Sequence, residues 1–428
     1  MNLLEQCKSV LEKNWKGKFT IPSPRLYPFQ WNWDSGFIAV GNLHVNPEHA
    51  ILEMETLFSG QWQNGFLPHI LFHNEEKYDS YFPSADYWNS RCSALAPKEL
   101  KTSGITQPPV HGFVLEFFFN HGFEESRLIK LFNKVVEYHK YLYSFREYKN
   151  TGLTVIWHNW ESGMDNSVWW DSVLNRISES EMKDIQLFRK DVHEVKESDK
   201  TRPEDLDYKR YLYLVNRLRN FKYYKVPSDY PFQIIEPVFN TMLLESNASL
   251  IRIGERIDQD ISFLKSKTEK GLENFSKYLW NNDDALYYPF DITVEEQIDK
   301  HCSGSYVPIF AGIPSTEQVE KLITRLESSR SIVPVPSCYP GQKGFQQKNY
   351  WRGPVWVNIN WIIWKGLLKY GKTESAETIK NITIQLVEKF GIREYFDPFA
   401  DTQSTEGYGG VQFSWTAALM IDMIRSET

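Results

Sequence analysis

Two kinds of helical segment alternate along this chain, and the alternation restricts the folds that it can adopt. Segments such as 124–147 and 373–390 carry apolar residues with the 3.6-residue period of an amphipathic surface helix. Segments such as 353–371 ("GPVWVNINWIIWKGLLKYG") and 410–424 ("GVQFSWTAALMIDMI") are apolar on nearly every side, which is typical of a buried helix. Inner and outer helices in alternation predict two concentric rings, an all-α (α/α)6 barrel or toroid.

About a dozen helices are predicted, and most begin at Asn, Pro or an aromatic residue and end at Gly. The chain contains no Gly/Ser-rich linker, so we expect one barrel domain over 1–428. A helical excursion over one rim is predicted for 173–230, and a small rim hairpin for 280–293. Besides the N-terminal helix and the segments above, helices are predicted at 34–44, 46–61, 108–122, 179–196, 204–221, 236–265, 267–280 and 315–328.

Charge and hydropathy exclude several classes of protein. The formal net charge of −7 over 428 residues argues against a nucleic-acid-binding protein, which normally carries a basic surplus. No apolar run reaches the length of a membrane helix. The first residues, "MNLLEQCKSVLEKNWKGKF", mix acids and bases within an amphipathic helix and do not resemble a secretory signal. A cytoplasmic location is therefore expected, while the sequence leaves open whether the chain forms a homo-oligomer.

The sequence has no recognisable metal or disulfide motif, and no cofactor is expected. The ten histidines do not form an HExxH pattern. The acidic run with Asp283, Asp284 and Asp291 lacks the glycine and the terminal glutamate of a calcium loop. The four cysteines lie far apart without CxxC spacing: Cys7, Cys92, Cys302 and Cys338.

Four loops combine aromatic rings, carboxylates and glycine next to the apolar helices. They are 27–37 ("YPFQWNWDSGF"), 158–171 ("HNWESGMDNSVWWD"), 347–358 ("QKNYWRGPVWVN") and 397–415 ("DPFADTQSTEGYGGVQFSW"). In a closed ring, loops before inner helices open at the same end, so their carboxylates would converge on one funnel. Aromatic platforms stack on the C–H faces of a sugar while carboxylates bind its hydroxyl groups. A small carbohydrate ligand is therefore predicted at this end of the barrel.

The motifs "WESGMDNS", "NYWRGPVW" and "STEGYGG", in this order, resemble signatures of glycoside hydrolase family 63. The likeness is strongest to the small enzymes that hydrolyse mannosylglycerate and glucosylglycerate. "QWNWDSGF" is similar to an element shared with trehalases, and 303–323 resembles a connecting segment of the family. The resemblance runs from about residue 27 to residue 416. It implies an inverting α-glycoside hydrolase that acts on a small glycoside.

The resemblance implies a role for four residues. Asp165 would be the general acid, Glu406 the general base, Asp34 a ligand of sugar hydroxyls, and Gln107 a glutamine of the sugar subsite. The tryptophans around Asp165 would form an apolar wall that helps this carboxyl group to keep its proton. They are Trp157, Trp160, Trp169 and Trp170.

Further side chains are candidates for substrate binding. Arg352 is predicted to clamp a hydroxyl or carboxylate, and the segment 208–225, with Tyr213 and Arg217, to bind a carboxylate of the aglycone. The sequence leaves open whether 73–89 and 208–225 are mobile lids over the site. The complete set of substrate-binding candidates is Tyr27, Trp31, Trp33, Asp34, Tyr81, Trp88, Gln107, Trp160, Glu161, Gly163, Tyr213, Arg217, Trp351, Arg352, Gly353, Gln412 and Trp415.

Alternative interpretations remain open at the level of the sequence. Asp165 could cap the following helix, and Glu161 and Asp171 could be structural carboxylates that accept indole N–H groups. A trehalase-like or other α-glucosidase acting on a neutral disaccharide or glucosylglycerol would carry the same motifs. A sugar epimerase or isomerase, or a sugar-binding protein without catalysis, could use the same barrel. Glucose and mannose are not distinguished.

Overall fold

The computed structural model describes residues 2–74, 81–189, 201–328, 334–399 and 407–426. Helices dominate these ranges. In chain order they are α1 Leu3–Asn14, α2 Asn32–Leu43, α3 Pro47–Ser59, α4 Ala85–Trp88, α5 His111–His121, α6 Glu125–Phe145, α7 Asp171–Leu174, α8 Asp205–Asn220, α9 Pro237–Arg256, α10 Ser262–Leu279, α11 Thr316–Ser328, α12 Val357–Lys369, α13 Thr373–Phe390 and α14 Ser414–Arg425.

Six of the described elements form a closed inner ring. In order around the ring they are α2, α5, α9, the 3₁₀ helix Ser303–Ala311, α12 and α14, and α14 packs against α2 to close it. Nearly every side chain of α2 is buried, and so is the first half of α12. This burial explains why their sequences are apolar on all sides. The prediction of an (α/α)6 barrel is confirmed.

Amphipathic helices surround this ring and bury one face each. Helix α1 packs on α14, α3 on α2, α6 on α5, α10 on α9 and α13 on α12. Helix α11 follows the inner 3₁₀ helix and buries Val319 and Leu322. The first helix of the chain thus packs on the last one. Asn14 links the two helices, because its Nδ2 donates to Ser414 Oγ at 2.9 Å.

The fourth inner element was not predicted as a helix. Residues Ser303–Ala311 form a 3₁₀ helix that contains Pro308. A 3₁₀ helix repeats every three residues, and proline cannot donate a backbone hydrogen bond, so the 3.6-residue pattern is missing. A Cβ on Gly304 would lie 2.5 Å from the Trp169 ring, which shows how closely this helix approaches the 158–171 loop.

The strands are two to five residues long and lie in the segments that connect the helices. β1 (Gln30–Trp31) pairs with β2 (Ile70–Leu71), β5 (Trp280–Asn281) with β6 (Leu286–Tyr287), and β9 (Arg393–Phe396) with β10 (Gly407–Val411), each antiparallel. A four-stranded antiparallel sheet has the order β3 (Val155–Ile156), β4 (Ile234–Ile235), β7 (Phe290–Asp291) and β8 (Glu296–Gln297). The predicted hairpin therefore exists as β5–β6. Strand β7, at the end of the predicted range, belongs to the four-stranded sheet instead.

The rim excursion is less helical than its sequence suggested. Of the helix predicted at 179–196, only Glu179–Met182 is helical among the described residues, as a 3₁₀ turn, and 190–196 lies outside them. Ser178 and Glu181 form a capping box around this single turn, whereas α8 forms as predicted. None of the helices in the described ranges is long and apolar enough to cross a bilayer.

Candidate active site

Two adjoining chambers open where the four predicted loops meet. The first, which we name the carboxylate chamber, encloses about 380 Å³ and contains Asp34, Asp165 and Glu394. The second, the arginine chamber, encloses about 860 Å³ and contains Arg25 and Arg202. The side chains shared by both walls are Tyr27, Trp31, Gln107, Asp165 and Tyr350.

Two backbone features direct the acids into the carboxylate chamber. Asp34 lies in the first turn of α2, directly after β1 has aligned the chain against β2. Gly163 has φ +73°, in the left-handed region, and a Cβ there would collide with the Trp33 ring. Only glycine fits both requirements. The tight turn brings Asp165 opposite Asp34.

Asp165 has the environment of a carboxyl group that keeps its proton. Burial raises its pKa from 3.8 to about 8, a hydrogen bond from Tyr350 lowers it in part, and the charge of Glu394 raises it again. The Tyr350 hydroxyl donates to Asp165 Oδ2 at 3.3 Å. Helix capping is not its role, because the Ser167 side chain accepts the N–H of Trp169. At neutral pH this side chain can therefore act as a proton donor.

The tryptophans around Asp165 divide into two roles. Trp160 alone of the four lines a chamber. The indole N–H of Trp170 donates to the Met164 carbonyl at 2.8 Å, and that of Trp169 to the Lys300 carbonyl at 2.8 Å. Trp157 lies 3.5 Å below the Arg146 guanidinium. Three of the four predicted wall tryptophans therefore support the loop from behind.

Asp34 is the second acid of the carboxylate chamber. Its side chain is 5% exposed. Burial holds its pKa well above the usual range, and the nearby carboxylates of Glu394 and Asp165 add to this. Gln107 lies beside it and accepts the backbone N–H of Trp33 at 3.3 Å. The carboxyl and amide groups together can bind vicinal hydroxyls of a sugar.

Arg202 and Glu394 were missed by the sequence analysis. Arg202 Nη2 donates to Glu394 Oε2 at 2.9 Å, and both side chains are buried. Tyr27 completes the cluster: its hydroxyl donates to Glu394 Oε1 at 2.8 Å and accepts from Arg202 Nη1 at 2.9 Å. The only local signal was an arginine before the Pro-Glu-Asp start of α8.

His69 is a further side chain of the arginine chamber that the sequence did not reveal. Its Nδ1 lies 2.6 Å from Ser103 Oγ, and that oxygen accepts the Ile70 N–H at 3.1 Å. Burial lowers the pKa of His69 well below its usual value, so the ring is neutral at neutral pH.

The structure brings most of the predicted binding residues together. Eleven of them, with Asp165, line the two chambers, whereas Glu406 lies outside the described residues. Six line neither chamber: Glu161, Tyr213, Arg217, Arg352, Gly353 and Gln412. The eleven that do are Tyr27, Trp31, Trp33, Asp34, Tyr81, Trp88, Gln107, Trp160, Gly163, Trp351 and Trp415.

Glu161 is a structural carboxylate. It accepts from Arg146 Nη1 at 2.8 Å and Nη2 at 3.0 Å, and both side chains are buried. The backbone N–H groups of Trp157 and Thr106 also donate to it, at 2.6 and 3.2 Å. Its oxygens are occupied, so the prediction of a substrate ligand is wrong for this residue.

Arg352 and Gly353 lie behind the wall of the site. The Arg352 guanidinium forms a bidentate pair with Asp171, 2.7 Å for each bond, and faces a separate polar cleft. The N–H of Gly353 donates to Ser337 Oγ at 3.0 Å. Because Asp171 already satisfies the guanidinium, this arginine holds two loops together and does not clamp the substrate.

The predicted carboxylate-binding face of 208–225 points away from the chambers. Tyr208 lines the arginine chamber, but residues five and nine positions later lie about 140° and 180° around the helix. Accordingly, the Tyr213 hydroxyl donates to Glu181 at 2.7 Å and Arg217 donates to that hydroxyl at 3.0 Å. Tyr213 and Arg217 therefore line neither chamber.

Gln412 is exposed on the outer side of its loop. It has φ +51°, and its carbonyl accepts Asn14 Nδ2 at 2.8 Å. Its contact is therefore with the N-terminal helix. Among the described residues, no three His, Cys, Asp or Glu side chains are grouped as metal ligands.

Comparison with known proteins assigns the family. A family model described as the mannosylglycerate hydrolase MGH1-like glycoside hydrolase domain matches residues 27–416. A mannosylglycerate hydrolase of Rubrobacter radiotolerans is 36% identical over 99% of this chain and 97% of its own length. A glucosylglycerate hydrolase of Mycolicibacterium hassiacum is 30% identical over 97% of this chain and 96% of its own.

A solved structure agrees over the whole barrel. The glycoside hydrolase family 63 mannosylglycerate hydrolase of Thermus thermophilus, crystallised with Tris and D-glycerate, superposes with a TM-score of 0.90 at 35% identity. The match covers 99% of this chain and 100% of that one. The chain therefore belongs to the mannosylglycerate hydrolase MGH1-like family within glycoside hydrolase family 63, and it is an O-glycoside hydrolase.

Proposed function

We propose that this enzyme hydrolyses a small α-glycoside of glycerate, mannosylglycerate or glucosylglycerate, with inversion at the anomeric carbon. The observation that carries the proposal is the position of Asp165 in the wall shared by both chambers. A glycosidic oxygen that joins a sugar in one chamber to an aglycone in the other would lie beside this acid.

The hexose fits the carboxylate chamber by its chemistry. Asp34 and Gln107 offer hydrogen bonds to hydroxyl groups, and the rings of Trp33, Trp351 and Trp415 offer apolar faces. The arginine chamber suits an anionic aglycone. Arg25 is exposed at its edge and has no ion pair within the described ranges, and Arg202 adds a second guanidinium.

The reaction is a single displacement. Asp165 gives its proton to the glycosidic oxygen as the bond from that oxygen to the anomeric carbon breaks. Glu406, the base implied by the family resemblance, takes a proton from the water whose oxygen bonds to the anomeric carbon from the opposite face. Acid and base in such enzymes stand about 6.5–9.5 Å apart, which leaves room for the water.

A hydrolysis panel tests the substrate. Purified enzyme is incubated with mannosylglycerate, glucosylglycerate, glucosylglycerol, trehalose and kojibiose, and released hexose and glycerate are quantified. We expect kcat/KM for a glycerate glycoside to exceed that for every neutral glycoside by at least about tenfold, which corresponds to about 1.4 kcal/mol of transition-state binding. A preference for trehalose or glucosylglycerol would replace the proposal by the neutral-substrate alternative. Conversion of a sugar without hydrolysis would instead favour an isomerase.

Proton NMR of the first turnovers tests the stereochemistry. An α-glycoside should release the β-hexose first, and the α-anomer should appear only later by mutarotation. If the α-anomer forms first, the enzyme retains configuration and Glu406 cannot have the role assigned to it.

Two variants separate the acid from the base. General acid catalysis contributes about 10²–10⁴-fold, so Asp165→Asn should lower kcat by that order on a natural glycoside and by much less on aryl or fluoride glycosides. Glu406→Gln should reduce kcat on all of them, because water still has to be activated. Both should bind substrate. An Asp165→Asn enzyme with most of its natural activity would move the acid elsewhere.

The cytoplasmic location and the oligomeric state stay predictions. Cell fractionation checks the first, and light scattering of the purified chain checks the second.

A further inference from the structure

A buried carboxylate to which the proposed reaction gives no role lines the carboxylate chamber. Glu394, in β9, is 1% exposed. Three donors hold it: the Tyr27 hydroxyl at 2.8 Å, Arg202 Nη2 at 2.9 Å and the Gly410 N–H at 2.6 Å. A buried carboxylate held by three donors, one of them a guanidinium, is a poor base for an incoming water.

The β9–β10 hairpin is shaped around this carboxylate. Gly409 has φ +69°, and a Cβ there would collide with Glu394 Oε2. No other residue type could occupy the position without displacing the carboxylate. The neighbouring Gly410 supplies its N–H as the third donor. Both glycines therefore serve the placement of one charged side chain.

Arg202 depends on this carboxylate. Its side chain is 4% exposed, and the guanidinium lies 4.7 Å from the centre of the Tyr350 ring. It donates to Tyr27 and Glu394, and its buried Nε–H has no hydrogen-bond partner among the described residues. The carboxylate thus fixes the plane of the guanidinium and compensates its charge, while further N–H groups stay available towards the arginine chamber.

We propose that Glu394 is a positioning residue of this active site, whose buried charge fixes Arg202 and sets the electrostatic environment in which Asp165 holds its proton. The inference rests on the proposed function, in which Asp165 is the general acid. The charged and titratable groups that interact with Asp165 include Glu394, Arg202, Tyr350, Asp34 and Tyr211.

The sign of the effect follows from these charges. The negative charge of Glu394 raises the pKa of Asp165, and the positive charge of Arg202 lowers it. Removing the Glu394 charge deletes the first influence and leaves the second unopposed. The loss of this negative charge favours the ionised, inactive form of Asp165, so the enzyme should lose activity at a lower pH.

The test is the pH profile of kcat/KM for Glu394→Gln, measured on whichever glycoside the wild type hydrolyses. We expect the basic limb to move to lower pH by about one unit, the size typical of a nearby charge. Glu394→Asp, which keeps the charge, should keep the limb near its wild-type position. A folded Glu394→Gln enzyme with the wild-type basic limb overturns the proposal.

A matched control removes another buried carboxylate from the barrel. Asp422 accepts from Trp361 at 2.8 Å and pairs with Lys365 at 3.0 Å. It lies seven residues beyond Trp415 on α14, about 10 Å along the helix. Asp422→Asn should lower the free energy of unfolding and leave the basic limb unchanged. A limb that moves equally in this control would show that the shift reflects general destabilisation and would also overturn the proposal.

If Glu394→Gln alone does not fold, the comparison is made in an Arg202→Gln background, which leaves no unpaired cation. Adding Glu394→Gln to that background should again move the basic limb of the pH profile to lower pH. A basic limb that stays at the same pH refutes the inference. The choice of substrate keeps the two hypotheses apart. Inactivity on glycerate glycosides with activity on a neutral glycoside would refute the proposed substrate and leave the role of Glu394 testable.

Discussion

Asp165, the proposed general acid, shows at the scale of one residue how the environment of a proton donor opposes stability. Its pKa is about 8 in the folded chain and 3.8 without the fold. Between these values the folded chain binds a proton that the unfolded chain does not, so the free energy of unfolding falls as pH rises through this window. Below about pH 4 both states are protonated and the penalty vanishes.

Asp165→Asn should therefore stabilise the protein while it removes activity. The gain in free energy of unfolding should be close to zero at about pH 4 and grow to about 1–3 kcal/mol at about pH 8, at about 1.36 kcal/mol per pKa unit with a discount for solvent around this partly exposed side chain. Urea unfolding of both proteins at the two pH values measures it. A gain that is independent of pH would mean that Asp165 is ionised in the folded chain.

Glu161 illustrates the opposite case, a carboxylate next to the acid that serves stability. Glu161→Gln would leave the buried Arg146 guanidinium without a compensating charge, and breaking such a pair costs about 3–5 kcal/mol. We expect the free energy of unfolding to fall by this amount and the midpoint of urea unfolding to shift to a lower urea concentration. The control is Glu295→Gln, which breaks an exposed pair with Lys149 and should leave the midpoint unchanged. A stable Glu161→Gln protein with a raised KM would instead make Glu161 a substrate ligand.

At the scale of one element, α8 presents two faces with different tasks. Tyr208 lines the arginine chamber, whereas Tyr213 and Arg217 bond to each other and to Glu181. Tyr208→Ala should raise KM for the proposed glycerate glycoside about tenfold or more, because a large ring leaves the chamber wall. Arg217→Gln, the matched change on the far face, should alter KM by less than about twofold. The reverse result would show that the helix turns its other face to the substrate.

At the scale of the whole molecule, the barrel closes where its first and last inner helices meet. A Cβ on Gly41 of α2 would collide with the Ala418 Cα of α14. Alanine is the better helix former by about 1 kcal/mol, yet Gly41→Ala should destabilise the protein by about 1–3 kcal/mol because it overpacks this seam. Lys130→Ala, on the exposed face of α6, is the control and should change stability by less than about 0.5 kcal/mol. Calorimetry of both variants measures the difference, and a Gly41→Ala protein as stable as the wild type would contradict the close approach.

The same variant tests whether 1–428 is one domain, which stays a prediction. If ring closure couples both ends of the chain, the protein should unfold in a single calorimetric transition, and Gly41→Ala should lower the midpoint temperature of that transition. Two transitions, of which only one moves, would indicate two domains.

The sequence by itself determined the architecture and the main acids. Helix periodicity is a local property, so the buried and amphipathic helices could be recognised one by one, and their alternation predicts the ring. The motifs that resemble family 63 pointed to Asp34 and Asp165, and both line the carboxylate chamber. The inner 3₁₀ helix was not predicted, because its three-residue repeat and Pro308 do not give the 3.6-residue pattern of an α-helix.

Only the tertiary structure decided which charged groups serve the site. Arg202 and Glu394 are 192 residues apart in the chain, and Arg352 and Asp171 are 181 apart. Whether a buried charge faces a ligand or a partner depends on which opposite charge the fold brings next to it. That choice leaves no trace in local sequence, and for this reason Glu161 and Arg352 looked like ligands while Glu394 did not.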